Sequence, residues 1–410
     1  MDEEELPRGA GLTARDERFR ERPHEVYDAL RTHAPMHRDR EYGRYFLTRF
    51  DDVDAVLRHK AFGVDARKSL PDSYMRRVAA TGVSEGQGAT AYEPPLVLLD
   101  DPAHRRIRLL MSKAFSPRRI EGMRGRVQAI ADAAVSAFSP GTEIDFIESY
   151  AAPLPTWVIA EMMGIGREHV PELKRWSEDI LAGYDTERDA ATQARLRAAY
   201  VSVSALFKRT VEARRRAPGA DLISAMVRAQ EEEDRLSDLE IISLCTQLLV
   251  AGNVTTTDLM GNGLYALLTH PGELAKLRAR PELIDGAIEE ILRYDCPLAE
   301  TARIALSDLE FAGCPVKRGD TLTASMAAAN HDPARFADPH RFDVERDATG
   351  HLGFGAGVHV CLGAPLARLE GTIGLATFIQ RFPALGLAEE APRRRRLPSF
   401  RGFARLPVRL

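Results

Sequence analysis

One cysteine of this chain lies where its surroundings favour metal ligation. Cys361 stands in the glycine-rich stretch His351–Arg368, directly before a segment whose apolar residues recur at helical spacing. Pro365 falls in the first turn of that predicted helix, where proline is tolerated. Backbone amides at a helix start, together with the positive end of the helix dipole, favour the thiolate, the form of cysteine that binds metals. The spacing therefore predicts an anionic Cys361 that can ligate a metal ion.

Three glycines ahead of this cysteine indicate what kind of ligand can approach it. Gly353, Gly355 and Gly357 leave little side-chain bulk between Phe354 and Cys361, so the backbone can lie flat against a large planar group. A porphyrin is such a group. A structural cysteine in a tight turn before a core helix is the alternative when Cys361 is taken alone.

A second stretch lies inside a long predicted helix. Ser237 and Glu240 form a capping-box pattern, and the helix that follows runs to His270, where Pro271 ends it. Residues 251–257 within it combine a glycine with β-branched residues and hydroxyls, all of which are weak helix formers. Because threonine hydroxyls compete for backbone carbonyls, the sequence predicts a local bend or opening there. A close-packed glycine in an ordinary buried helix is the alternative.

Most of the remaining chain is predicted to be helical, with small strand portions near the N-terminus and in the C-terminal third. Residues Arg44–Phe50 read as a strand that leads into a helix through Val53 and Leu57. Residues 63–95 lack clean periodicity and are rich in Gly, Ser and Pro, which indicates a long loop. The predicted fold class is therefore mainly α with small β portions (α+β).

The cysteine stretch as a whole closely resembles the haem-binding signature of the cytochrome P450 family. The resemblance implies haem b (iron protoporphyrin IX) as cofactor, the fold of that family, and a long central helix over the haem with the cysteine loop beneath it. Further blocks match in the expected order, from about residue 12 to the C-terminus. The signature residues, with Cys361 as the iron ligand, are Phe354, Gly355, His359, Cys361 and Gly363.

In the resembled family the long helix carries the residues that face bound oxygen. Ala251 and Gly252 match the groove residues, and Thr255 matches the threonine that helps to deliver protons to dioxygen. The family's acidic residue is replaced here by Val254, which cannot relay a proton. Asn253, Thr256 or ordered water are the candidate substitutes, and the departure puts the usual acid–alcohol mechanism in doubt.

Two further sets of residues carry roles by the same resemblance. The two haem propionates need cationic or hydrogen-bonding partners. Asp101 and Pro102 are expected to begin a helix that places two of the candidates on one face at i and i+4. The four propionate candidates, each of which alone could be a solvated charge, are His104, Arg108, Arg303 and His359. Glu290 and Arg293, completed by Arg346, match a core ion-pair set that we interpret as structural.

The substrate side is predicted from the same alignment. It should draw on the loop of residues 63–98, the helices near residues 173–184 and 196–203, and the long helix. These segments are mainly apolar, which indicates a hydrophobic or amphipathic small molecule such as a terpenoid, steroid, fatty acid, aromatic or polyketide. The residues expected to line the pocket are Leu248, Ala251, Val254, Leu298, Ala299 and Phe400.

Composition narrows the setting of the protein. The 410 residues carry a formal net charge of −4, so no nucleic-acid partner is indicated, and the run Arg393–Arg396 is interpreted as solvated charge. The four scattered cysteines suggest neither disulfides nor zinc, and fit a reducing cytoplasm. The sequence contains no run of about twenty apolar residues, so no membrane anchor is predicted. Residues 1–11 are expected to be a disordered acidic terminus, and residues 12–410 a single catalytic domain.

Together these patterns predict a monomeric haem-thiolate monooxygenase of secondary metabolism. It would use O2 and NAD(P)H to hydroxylate or epoxidise its substrate, with electrons from a separate ferredoxin and an NAD(P)H-dependent ferredoxin reductase. A basic docking patch is expected from Arg105, Arg106, Lys113, Arg118 and Arg119. Two alternatives stay open: a peroxide-using or atypical haem-thiolate enzyme for coupling or decarboxylation, and a non-enzymatic haem or ligand-binding protein.

Overall fold

The structure is a computed structural model that describes residues 6–82, 93–233 and 236–410. Helices dominate it, as the sequence predicts. They are α1 (Glu17–Glu21), α2 (Pro23–His33), α3 (Phe50–Arg58), α4 (Tyr74–Gly82), α5 (Ala103–Ala114), α6 (Pro117–Glu121), α7 (Arg124–Val135), α8 (Pro153–Met162), α9 (Val170–Leu181), α10 (Ala190–Arg216), α11 (Leu222–Glu233), α12 (Asp238–Thr269), α13 (Pro271–Ala279), α14 (Ile284–Tyr294), α15 (Met326–Ala329) and α16 (Ala364–Arg381).

The strands are short and form small sheets. A five-stranded sheet has the order β1-β2-β8-β5-β3, in which β2 and β8 pair in parallel and the other pairs are antiparallel. Smaller sheets are β4-β12-β9, β6-β7 and β10-β11. The strands are β1 (Met36–Asp39), β2 (Arg44–Leu47), β3 (Phe62–Gly63), β4 (Glu143–Asp145), β5 (Glu300–Ala305), β6 (Leu309–Phe311), β7 (Cys314–Val316), β8 (Thr321–Ser325), β9 (Gly386–Leu387), β10 (Arg393–Arg394), β11 (Phe403–Arg405) and β12 (Pro407–Arg409).

The long predicted helix, α12, begins and ends where its sequence signals lie. The Ser237 hydroxyl accepts from the Glu240 amide at 3.1 Å, and the Glu240 carboxylate accepts from the Ser237 amide at 2.7 Å, which completes the capping box. The expected opening at residues 251–257 is not present, because α12 is unbroken from Asp238 to Thr269. The threonine hydroxyls instead donate to carbonyls four residues earlier, within the intact helix.

The largest hydrophobic cluster of the described residues surrounds α12. Helices α8, α9, α10 and α16 pack against it, and Leu244, Leu249, Leu259 and Leu264 are buried in the contact. By length and composition α12 could cross a membrane, but half of its most apolar window is already buried inside the protein. That combination is typical of a core helix.

Three expectations about local structure need correction. The N-terminal segment is packed from Leu6 onward, because Leu6 is 3% exposed and Gly9–Leu12 forms a 3₁₀ turn; residues 1–5 lie outside the described part. The loop predicted for residues 63–95 contains α4 as well as a short 3₁₀ turn at Ala66–Lys68, and residues 83–92 are not described. The predicted strand at Arg44–Phe50 is shorter and ends at Leu47.

The interpretation of Arg393–Arg396 as a solvated run is wrong for its two central residues. Arg394 pairs with the buried Asp295 at 2.9 Å, and Arg395 pairs with the buried Asp258 at 2.9 Å. Arg401 also pairs with Asp295. We call Arg394, Arg395 and Arg401 the C-terminal arginine cluster. β10 pairs with β11 with a register irregularity at Arg393 and Arg394, and the two consecutive residues Arg394 and Arg395 are turned inward, so only the ends of the run, Arg393 and Arg396, are exposed.

Candidate active site

The cysteine loop is shaped by glycines that no other residue could replace without strain. Gly355 and Gly357 have φ angles of +69° and +71°, and a Cβ on Gly357 would lie 2.5 Å from the Leu57 carbonyl oxygen. The Cys361 amide donates to the Phe354 carbonyl at 2.9 Å, which closes the loop. Helix α16 follows at Ala364, with a proline in its first turn. The loop therefore presents Cys361 just ahead of a helix start.

The charge state of Cys361 is set by opposing effects. The side chain is reachable by solvent, yet the protein atoms that surround it raise the pKa of its thiol by desolvation. The amides of Gly363 and Ala364 and the charges of Arg108 and Arg368 lower that pKa, but less strongly. The amides at the helix start therefore favour the thiolate, but without a metal ion they do not outweigh desolvation. Ligation by a cation would supply the missing stabilisation of the thiolate.

Four cationic or hydrogen-bonding side chains converge beside this loop, from three separate elements. The rings of His104, on α5, and His359 lie 4.2 Å apart. Arg108 follows one turn after His104 and donates to the Val360 carbonyl at 2.7 Å. Arg303, on β5, is 4% exposed. We call these four residues the cationic shell. Helix α5 begins at Ala103 with Pro102 as its N-cap, one residue later than expected, and the Asp101 carboxylate, expected to cap the helix, instead lies 3.5 Å from His104 Nδ1.

The two arginines of the cationic shell lack a carboxylate partner among the described residues. Among the described residues, no carboxylate lies within ion-pair distance of Arg108 or Arg303, and the buried Nε2 of His104 has no hydrogen-bond partner. Burial lowers the pKa of Arg303 to about 10, and burial with the nearby Arg303 and His104 lowers the pKa of His359 to about 3. A buried arginine without a counter-ion is costly. The shell therefore fits an anionic ligand such as the two propionates of haem.

On the opposite side, α12 presents small side chains and hydroxyls. Ala251 is exposed although it lies in the middle of a core helix, and Gly252 beside it is half-buried, which indicates open space along this face. The Thr255 hydroxyl donates to the Ala251 carbonyl at 2.5 Å. Val254 is 2% exposed and packs among apolar side chains. Neither side chain of this pair, Val254 or Thr255, contributes a carboxyl group.

The two side chains suggested as substitutes for the missing acid, Asn253 and Thr256, are both buried. The Asn253 amide donates to the Ser177 hydroxyl on α9 at 2.5 Å, and Asn253 is 1% exposed. Thr256 is 3% exposed. The Asn253 side chain therefore joins α12 to α9. Ordered water remains as the candidate substitute for the missing carboxyl group.

The predicted pocket residues divide into two groups. Val254 and Phe400 belong to a small apolar cluster with Leu181 and Leu397, and Leu298 packs against it through a β-bridge to Phe400. Tyr184 contacts Phe400 edge to face, with ring centroids 5.4 Å apart. Ala299 is instead placed in a cluster with Leu12, Phe19 and Tyr27, and Leu248 packs against the main core. Leu181 lies within the predicted segment 173–184 but was not named as a pocket residue, and Leu397, three residues before Phe400, was missed.

The set interpreted as structural forms a buried network. Arg293 donates to Glu290 through two bonds of 2.7 and 2.9 Å, and Arg346 donates to Glu290 at 3.2 Å. Arg293 also donates to the carbonyls of Asn330 and Pro339, each at 2.9 Å. This network ties α14 to the long connection between α15 and the cysteine loop.

The predicted docking patch is only partly free. Arg106 pairs with Glu240 in the first turn of α12, so its charge is engaged within the protein. The other members, Arg105, Lys113, Arg118 and Arg119, are exposed on α5 and α6. Leu109 on α5, 61% exposed, and Val358 in the cysteine loop, 65% exposed, are exposed apolar side chains.

Comparison with known proteins identifies the family. The family model described as Cytochrome P450 matches residues 194–280 and 276–408. The 6-deoxyerythronolide B hydroxylase of Saccharopolyspora erythraea is 39% identical over 391 residues, which cover 94% of this chain and 95% of that protein. The polyketide biosynthesis cytochrome P450 PksS of Bacillus subtilis is 34% identical over 401 residues, or 96% of each protein.

A solved structure also supports assignment to this family. CxnD, a cytochrome P450 enzyme for C–S bond formation in chuangxinmycin biosynthesis, superposes with a TM-score of 0.86 at 32% identity and covers 94% of each chain. The chain belongs to the cytochrome P450 family, has the fold of that family, and is an enzyme of the P450 monooxygenase class. Membership implies a haem-thiolate cofactor and a small-molecule substrate.

Proposed function

We propose that this protein is a cytoplasmic, monomeric monooxygenase that holds haem b through Cys361 and hydroxylates or epoxidises a hydrophobic small molecule of secondary metabolism. It would use O2 and NAD(P)H, with electrons delivered by a separate ferredoxin and its NAD(P)H-dependent reductase. The observation that carries this proposal is the cationic shell. The buried Arg303 and the half-buried Arg108, neither with a carboxylate partner among the described residues, lie next to a strained cysteine loop and suit a dianionic planar ligand better than an empty interior.

Each part of the site has a defined task in this proposal. Cys361 ligates the iron, Phe354, Gly355 and Gly363 shape its loop, and the cationic shell binds the propionates through charge-assisted hydrogen bonds. When bound, thiolate-ligated haem supplies activation of dioxygen and transfer of one oxygen atom to the substrate. The protein contributes ligation, orientation and control of water.

The residues of α12 would control access and protons. Ala251 and Gly252 leave room on the open face of the helix because their side chains are minimal. The Thr255 hydroxyl, held at the Ala251 carbonyl, is the protic group on that face that we assign to proton delivery. Since Val254 is apolar and buried, the proton must reach Thr255 through water rather than through a carboxyl group.

The substrate class follows from the chemistry of the small apolar cluster. Val254, Leu298 and Phe400 offer methyl groups and an aromatic ring, which bind apolar carbon skeletons and orient them without a charged anchor. We propose a polyketide-type skeleton first, because one relative is named for polyketide biosynthesis. A screen for spectral shifts with polyketide, fatty-acid, terpenoid and steroid ligands tests this order, and a shift given only by another class would replace it.

The proposed iron ligand has a direct test. In Cys361→His the red-shifted Soret band of the reduced carbon monoxide complex should disappear, because that band requires a thiolate ligand, while part of the haem stays bound. Cys314→His, which changes a half-buried cysteine on β7, is the matched control and should keep the band. An unchanged spectrum in Cys361→His rules out the assignment.

A peroxide-using or coupling enzyme is the second candidate, and Val254 is the observation that favours it. If water and Thr255 deliver protons, Thr255→Ala should raise the share of electrons lost to peroxide, and Val254→Asp should change turnover or its solvent isotope effect. A positioned general acid contributes roughly a hundredfold or more, so the change should be measurable. If neither variant alters coupling, and peroxide alone supports product formation, the second candidate is the better one.

A further inference from the structure

A cluster of three histidines lies at the N-terminal side of the molecule, on elements that the proposed reaction does not use. His24 comes from the first turn of α2, and His331 and His340 come from the connection that follows α15. One ring nitrogen of each lies within 4.8 Å of one ring nitrogen of the other two. The rings of His24 and His331 are 3.9 Å apart, and each lies 5.5 Å from the ring of His340.

Hydrogen bonds orient two of these rings as they are oriented in metal sites. His331 Nδ1 donates to the Ala327 carbonyl at 3.1 Å, so its Nε2 carries the lone pair, and that buried Nε2 has no partner among the described residues. His340 Nε2 lies 2.9 Å from the Asp28 carboxylate, which leaves Nδ1 available. A carbonyl or carboxylate behind the ring is the usual support of a ligating histidine.

The third ring offers an unused nitrogen as well. The Nδ1 atom of His24 is buried and has no hydrogen-bond partner in the described ranges. Neutral imidazole is the form that binds metal ions, and burial favours this form by lowering the pKa of both His24 and His331. Arg394 and Arg401 are the neighbouring cations, and their charge is balanced in part by Asp295.

The protein also holds the three rings in place without a metal. Two of the three carbonyls that Arg293 binds belong to Asn330 and Pro339, the residues directly before His331 and His340. The buried ion-pair network of α14 therefore fixes both histidines of the connection. On the other side, Arg31 of α2 donates to the Ala328 carbonyl at 2.6 Å, which joins the helix of His24 to the same connection. Such support reduces the entropy lost on binding.

We propose that His24, His331 and His340 form a binding site for one divalent transition-metal ion of zinc type, separate from the haem iron. Three imidazoles with water in the fourth position are an established coordination set for zinc. The ion can enter from solvent, because the His340 side chain is 49% exposed. Bound there, it would join α2 to the connection between α15 and the cysteine loop.

The test uses the haem-loaded protein, produced without a polyhistidine tag and dialysed against chelator before Zn²⁺ is added. Calorimetric titration and elemental analysis after gel filtration should give one zinc per chain. His340→Ala should weaken zinc binding at least tenfold, since it removes a ligand from the exposed edge without disturbing the buried rings. Asp28→Asn, which removes the carboxylate support of His340 together with an ion pair to Arg31, should weaken it by about 10- to 100-fold.

His33→Ala is the matched control, because His33 is an exposed histidine of the same helix and lies outside the cluster. It should keep the stoichiometry and the Kd of the parent protein. Zinc should also raise the thermal unfolding midpoint of the parent and of His33→Ala, but not that of His340→Ala. Absence of stoichiometric zinc, or equal zinc Kd values in His340→Ala and His33→Ala, overturns the proposal. The haem spectrum, which the proposal leaves unchanged, reports independently on the active site.

Discussion

The cationic shell and the C-terminal arginine cluster both place arginine side chains inside the protein, but they differ in how the positive charge is neutralised. Arg394, Arg395 and Arg401 share two buried carboxylates, Asp258 and Asp295. Arg108 and Arg303 have no carboxylate in ion-pair distance within the described ranges. The first arrangement is complete within the chain and serves the fold. The second is complete only with an anion from outside, and therefore marks a ligand site.

The largest difference between the two regions should appear in haem retention. Replacing Arg108 and Arg303 together with Ala removes two charge-assisted partners of about 1.5–3 kcal/mol each, so haem affinity should fall at least about a hundredfold. The unfolding midpoint of the haem-free protein should change little, because each side chain has only a backbone carbonyl partner and no ion pair among the described residues. Haem content after gel filtration and thermal unfolding of the haem-free form measure the two quantities.

The matched control for that experiment is Arg393→Ala with Arg396→Ala, which removes two exposed arginines from the ends of the run. Exposed substitutions of this kind usually change stability by less than about 0.5 kcal/mol. The control protein should retain haem like the parent. Equal haem loss in the two double variants would mean that the cationic shell has no special affinity for an anion.

The C-terminal arginine cluster should respond in the opposite way. Arg394→Ala with Arg401→Ala leaves Asp295 buried without a partner, and this typically costs about 3–5 kcal/mol of unfolding free energy. The haem content of each folded molecule should stay that of the parent. Urea unfolding and the absorbance ratio of haem to protein report both. A stable variant that loses haem would contradict the assignment of this cluster to the fold and of the cationic shell to haem binding.

A smaller, pH-dependent effect is expected from Asp258. Burial raises the pKa of this carboxyl from 3.8 to about 6, although Arg395 lowers it in part. The folded protein therefore binds more protons than the unfolded chain, and this carboxyl makes stability fall as pH rises from about 4 to about 6. The loss is up to about 3 kcal/mol at 1.36 kcal/mol per pKa unit. Unfolding curves of the parent and Asp258→Asn should diverge across that window, and parallel curves would contradict the prediction.

A structural feature can be predicted from the sequence when the residues that determine it lie close together in the chain. The capping box of α12 and the loop before Cys361 are predictable, because cap spacing and glycine torsions act within a few residues. The burial of Arg394 and Arg395 is not, because their partners lie 99 and 137 residues away in the chain. A run of four arginines carries no sign of which side chains will meet a carboxylate after folding.

The cationic shell shows the intermediate case. His104 and Arg108 share a helix face by spacing alone, yet only the family resemblance aligned Arg303 and His359 with them, and only the structure shows that no acid accompanies the arginines. The histidine cluster has no signal in the sequence, since His24 is some three hundred residues from its two companions. Its partners are selected by the packing of α2 against α15, which is a tertiary contact.

The separation of the small apolar cluster from the main core has a consequence for protein engineering. Leu181, Val254, Leu397 and Phe400 pack with one another rather than within the large cluster around α12. Apolar exchanges of similar volume usually cost less than about 1.5 kcal/mol even in cores. Libraries limited to apolar residues of similar volume at these four positions should therefore yield mostly folded, haem-loaded variants. The repertoire of accepted substrates can then be evolved without first adding stabilising mutations elsewhere.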